Sequence, residues 1–112
     1  MRLHSANVGI QPSTILATGG ASVDHSVLRV MADVFGVPVF TADKPNSAAL
    51  GAAYRALQGL ACRNQNTFIP FSEALRGAPP FIRTMEPNPQ AHAVYSEMMK
   101  RYEMLEKSVI AV

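Results

Sequence analysis

The stretch Ile15-Leu16-Ala17-Thr18-Gly19-Gly20-Ala21-Ser22 is a short apolar run closed by two glycines, and an amphipathic segment follows directly. Residues 14–18 carry no charge and read as a buried strand. The glycines predict a tight turn in which bare main chain can approach a ligand, because no Cβ stands in the way. A helix directly behind the turn would offer unpaired N–H groups and the positive end of its dipole, which together attract phosphate. The bland alternative is an ordinary strand-to-helix turn, and two glycines alone do not decide between them. No Gly-Lys-Ser/Thr follows, so this is not a P-loop. Residues 22–25 supply no third glycine for a dinucleotide fingerprint.

Downstream the period becomes helical. Val27, Leu28, Met31, Val34 and Phe35 share a face, with His25, Ser26, Arg29 and Asp33 off it. Asp24 is a suitable N-cap and Gly36 a natural stop. After Pro38, Val39-Phe40-Thr41 reads as a second strand. Asp43-Lys44-Pro45-Asn46 reads as a turn, and residues 48–57 as a helix stopped by Gly59. Its small residues, Gly51 among them, imply close approach to a sheet or another backbone. Upstream, residues 1–9 read as the tail of a helix closed by Gly9.

Residues 60–90 hold prolines at 70, 79, 80, 87 and 89 and read as an extended connector, helical only over residues 72–76. Residues 91–109 make an amphipathic helix striped by Val94, Tyr95, Met98, Tyr102, Leu105 and Val109. Glu97 with Arg101, and Glu103 with Lys107, are spaced to pair on its wet side. The fold class is α/β: strand, helix, strand, helix, connector, helix. Two strands make a poor independent sheet, and a parallel pair needs both faces covered. The expectation is one end of a larger α/β domain, whose bare helix stripes would favour self-association.

Bulk composition narrows the function. The chain has 112 residues, is 48% hydrophobic and 16% charged, and carries a formal net charge of +2. That is a folded composition, with too small a charge surplus and no aromatic–basic interleaving to argue for nucleic acid. No run approaches the ~20 apolar residues of a membrane span, and the first residues lack the apolar centre of a secretory signal. A cytoplasmic location is the default, and the single cysteine, Cys62, suits a reducing compartment. His4, His25 and His92 show no metal-ligand spacing. Cys62 has no activating neighbour in sequence. Asp24 could face a ribose or base at the mouth of the glycine turn, and Asp43 follows the second strand, where ligand crevices lie in open α/β sheets, though a cap and a solvated turn are their plainer readings. No acid–base pair poised for chemistry stands out.

The run Ala17-Thr18-Gly19-Gly20-Ala21-Ser22, the helix ending Met31-Ala32-Asp33-Val34-Phe35-Gly36, Pro38-Val39, and Asn46-Ser47-Ala48-Ala49-Leu50-Gly51-Ala52-Ala53-Tyr54-Arg55-Ala56 together resemble the C-terminal domain of FGGY-family sugar kinases. The resemblance spans residues 2–59 and continues more loosely to the last helix. It implies part of an actin-like ATPase (ribonuclease H-like) fold, with ATP and Mg²⁺ as cofactors. Gly19 and Gly20 would lie near the nucleotide phosphates, with Ala21, Ser22 and Asp24 on the same wall. That family commonly has an asparagine where this chain has Asp24. A carboxylate accepts hydrogen bonds but cannot donate them, and it would sit in the nucleotide's negative field. The resemblance also puts the sugar site and the catalytic base in an N-terminal domain that these residues do not match. Residues 1–112 are therefore expected to be a partial nucleotide-binding domain, inactive alone, with 60–90 as connector and 91–110 as the last helix. A truncated, non-catalytic binding module, or a kinase of another sugar or polyol, are the other readings.

Overall fold

Alternation of side chains along three short strands sets the architecture. A computed structural model describes residues 1–42 and 46–111. In order these form α1 (Arg2–Asn7), β1 (Ile15–Ala17), a 3-10 turn (Gly20–Val23), α2 (His25–Phe35), β2 (Val39–Thr41), α3 (Ser47–Gln65), α4 (Phe71–Ala74), β3 (Ile82–Met85) and α5 (Pro89–Ile110). The sheet order is β1-β2-β3, with β1 and β2 parallel and β3 antiparallel to β2. The pairing of Ile15 with Val39 and Ala17 with Thr41 puts alternate residues on the face that α2 covers.

That face is the core. Ala17, Leu28, Ala32 and Val39 are buried together, with Ile15, Met31 and Met85 packed around them. The opposite face is open: Leu16 is exposed, and Phe40 lies under the Arg83 guanidinium, 5.9 Å from ring centre to charge. The Cα radius of gyration is 18.7 Å, against ~13 Å for a compact chain of this length. The difference reflects layers that stand apart rather than closing on one core.

Both anticipated strands and the helix between them are present. α2 is capped by Asp24 and ends at Gly36, whose left-handed φ of 69° suits a residue without Cβ. α1 likewise precedes a positive-φ Gly9. Three expectations are corrected. α3 runs through Gly59 to Gln65, because one glycine costs a helix only about 1 kcal/mol. A Cβ at Gly51 would meet nothing within 4 Å, so its place reflects no close approach. Residues 60–90 are not a plain connector: they contain the end of α3, α4 and the strand β3. Thr84 Oγ1 and Thr41 Oγ1, 2.6 Å apart, tie β3 to β2.

α5 begins where Asn88 Oδ1 accepts the Gln90 and Ala91 amides, with Pro89 in its first turn. Asp33, which falls off the apolar face of α2, is nonetheless buried. Its carboxylate accepts the Asn88 amide at 2.7 Å and faces Arg29 at 3.6 Å. His92 Nδ1 donates to the Asp33 carbonyl at 2.9 Å, and its ring fills the space over Gly36. These bonds clasp α5 to α2. Along α5, Glu103 pairs with Lys107 as the spacing predicts, whereas Glu97 pairs with Lys100 rather than Arg101.

Candidate functional site

The glycine turn sits just beyond the carboxyl ends of two parallel strands, the edge at which open α/β sheets receive ligands. Gly19 has φ 82° and ψ −170°, a combination open essentially to glycine alone. A Cβ there would touch nothing within 4 Å, so the demand for glycine is one of backbone conformation, not room. Gly20 also has open space above it and is exposed, as is Ala21. Among the described residues no side chain fills the bend.

The chain does not pass straight from these glycines into a helix. A 3-10 turn intervenes, held by the Ser22 amide donating to the Gly19 carbonyl and the Asp24 amide donating to that of Ala21, each at 3.1 Å. The amides of Gly20 and Ala21 lie outside those bonds and are the first N–H groups of the turn. The buried Ser22 hydroxyl donates to the Gly19 carbonyl at 2.6 Å. It therefore pins the bend from behind rather than lining an open wall.

Asp24 is the N-cap of α2. Its Oδ1 accepts the Ser26 amide at 2.9 Å and the Val27 amide at 3.3 Å. The sequence offers the α2 terminus either to phosphate or to an Asp24 cap, and the cap is what forms: Asp24 takes two of its amides and places a negative charge there. Oδ2 takes no part in those bonds. What the turn offers an anion is the pair of amides at Gly20 and Ala21, with Asp24 exposed beside them.

The remaining candidates are dispersed. His25 is exposed in the first turn of α2, and His92 is engaged in the clasp between α2 and α5. Cys62 Sγ accepts the Ile69 amide at 3.2 Å, a structural bond within the α3 end. Asp43 lies outside the described residues, as does the side chain of His4. Among the described residues no three His, Cys, Asp or Glu side chains converge as metal ligands. No helix among the described residues is long and apolar enough to cross a membrane. An apolar hollow of about 320 Å³ opens at the same edge of the sheet, lined by Ala42, Leu50, Tyr54, Phe71 and Phe81 among others. Sequence reasoning missed this hollow because half its wall comes from the proline-rich connector. It also missed the Arg29–Asp33–Asn88–His92 clasp, whose one signal was a helix-starting Asn88-Pro89.

The family described as FGGY family of carbohydrate kinases, C-terminal domain, matches residues 1–60. Xylulose kinase of Mus musculus is 43% identical over 98% of this chain, and that of Rattus norvegicus 44% over the same share. Xylulose kinase 2 of Arabidopsis thaliana is 40% identical over 68% of the chain. The chain spans 20% of the length of the two rodent relatives and 14% of the plant one.

Proposed function

The chain belongs to the FGGY family of carbohydrate kinases, in its C-terminal domain, and from that premise we propose that it is the ATP-binding part of a xylulose kinase. The observation that carries the reading is the bend at Gly19 and Gly20: glycine-only backbone at Gly19, open space above both, and two amides free of the turn's own bonds. Those amides would lie against the phosphates of a bound adenosine nucleotide. Mg²⁺ would come with the nucleotide, neutralising charge on its phosphates. The surrounding architecture would be that of an actin-like ATPase.

The reaction would move the γ-phosphoryl group of ATP to a hydroxyl of D-xylulose. Such a transfer requires acceptor, phosphate and metal to be held together. Three roles fall to residues of this chain. The Gly20 and Ala21 amides donate to a phosphate oxygen. Ser22 holds the bend in shape through the Gly19 carbonyl. Asp24 caps α2, and its exposed carboxylate stands beside the phosphates and weakens their hold. The sugar and the catalytic base would come from outside the matched residues, so this chain alone would transfer no phosphate. The location would be cytoplasmic.

Calorimetric titration of the 112-residue chain with Mg·ADP tests the reading. Saturable heat is expected, lost in Gly19→Val, whose backbone preference opposes the bend. Asp24→Asn keeps a capping oxygen while removing the charge, and is expected to tighten binding by roughly 3-fold to 10-fold. No heat at millimolar ligand, or full binding by Gly19→Val, would defeat the proposal.

A further inference from the structure

The charge at the glycine bend has the opposite sign to that of an ordinary phosphate site. An uncapped α2 would begin with about +0.5 of an elementary charge from its aligned peptide dipoles. Asp24 adds a full negative charge there, which leaves a sum of about −0.5. Its Oδ1 accepts the Ser26 and Val27 amides at 2.9 Å and 3.3 Å, whereas Oδ2 takes part in neither bond and the side chain is exposed. Among the described residues no ion pair includes Asp24. The sequence has no Lys or Arg between Arg2 and Arg29. Arg29 itself is drawn toward the other end of α2, where it donates to the Glu86 carbonyl at 2.7 Å and faces Asp33 at 3.6 Å.

We propose that Asp24 makes the bend a charge filter, which holds a nucleoside diphosphate as its magnesium complex and rejects the free nucleotide. The inference rests on the nucleotide reading of the bend. The amides of Gly20 and Ala21 are what the turn offers a phosphate, and neutral N–H donors meet the oxygens of both forms alike. The carboxylate does not, because its repulsion grows in proportion to the charge on the ligand. Free ADP carries about three negative charges and its magnesium complex about one, so the Coulomb penalty differs roughly threefold. The bend has no cage of its own for the ion, since among the described residues no three His, Cys, Asp or Glu side chains converge. Mg²⁺ fits here as a cation kept on the phosphates of the ligand, where that ion is ordinarily held. Asp24 is thus a specificity residue. An asparagine would cap α2 as well and lack the filter.

Calorimetric titration of the 112-residue chain and of Asp24→Asn, each with Mg·ADP and with ADP in EDTA, is the test. The native chain is expected to bind Mg·ADP at least ~10-fold tighter than free ADP. Asp24→Asn should gain ~30-fold or more for free ADP, against roughly 3-fold to 10-fold for the complex, and so close most of the gap. Raising the salt from about 0.05 M to about 0.5 M should narrow the native preference. Asp24→Ser, a second neutral cap, should behave like Asp24→Asn, with far-UV circular dichroism showing the helix content of both retained. A role in capping alone would change the affinity for both forms by the same factor. That result overturns the filter, while saturable binding of Mg·ADP leaves the nucleotide reading standing. Equal affinity of the native chain for the two forms overturns the filter as well. No heat from either form with any of the chains overturns the nucleotide reading and the filter together.

Discussion

Residues 15–41 contain four of the five buried apolar side chains among the described residues, Ala17, Leu28, Ala32 and Val39, whereas the longer stretch 46–81 contains one, Ile69. The first region folds around a shared interior. The second hangs on polar tethers. Gln58 is buried and its amide donates to the Ile69 carbonyl at 2.8 Å, while Arg55 donates to the Gln58 oxygen. Cys62 Sγ holds the Ile69 amide. Leu57 and Leu60 on the same helix remain exposed. Helical periodicity alone therefore does not guarantee a core; a stripe needs an apolar surface opposite it.

If the contrast is real, substitutions in the two regions should differ in kind. Leu28→Ala, at 1% exposure in the centre of the first region, should cost about 3 kcal/mol in urea unfolding and lower the whole transition. Gly36→Ala is next. Its Cβ would fall 2.6 Å from the His92 ring, and φ is 69°. We expect about 2 kcal/mol of destabilisation, dropping to about 1 kcal/mol in a His92→Ala background where only backbone strain remains. Equal costs in both backgrounds would show that the ring simply moves aside.

Gln58→Ala should cost about 1–2 kcal/mol by leaving the Ile69 carbonyl unpaired, but locally. Hydrogen exchange should quicken around residues 62–75 while β1 and β2 keep their protection; global loss would erase the distinction between the regions. The smallest effect has the opposite sign. Gly51→Ala should stabilise α3 by up to about 1 kcal/mol, because nothing lies near the added methyl. A destabilised Gly51→Ala would reveal a close neighbour for that helix and restore the packing expected from its small residues.

The same contrast explains what the sequence makes legible. β1, α2 and β2 are specified locally: an uncharged run, a 3.6-residue stripe, Asp24 at one end and Gly36 at the other. β3 is not, because Ile82-Arg83-Thr84-Met85 alternates weakly and becomes a strand only by pairing with β2. α3 outlasts Gly59 since a lone glycine is a small local penalty. Asp33 looks like a solvent-facing residue until Asn88, 55 positions later, brings an amide to it. At the candidate site the need for glycine is readable at residue 19, but the interposed 3-10 turn is not. The Asp24 cap of α2 is legible too, from a carboxylate set immediately before the apolar stripe.

The most direct test of the nucleotide reading follows the amide resonances of Gly20 and Ala21 by ¹⁵N–¹H correlation spectroscopy as Mg·ADP is added to the 112-residue chain. The account predicts saturable shifts that are largest at those two amides and small at Ser26 and Val27, which Asp24 already holds. Saturable shifts confined to other residues, or none at Gly20 and Ala21 up to millimolar nucleotide, would contradict it.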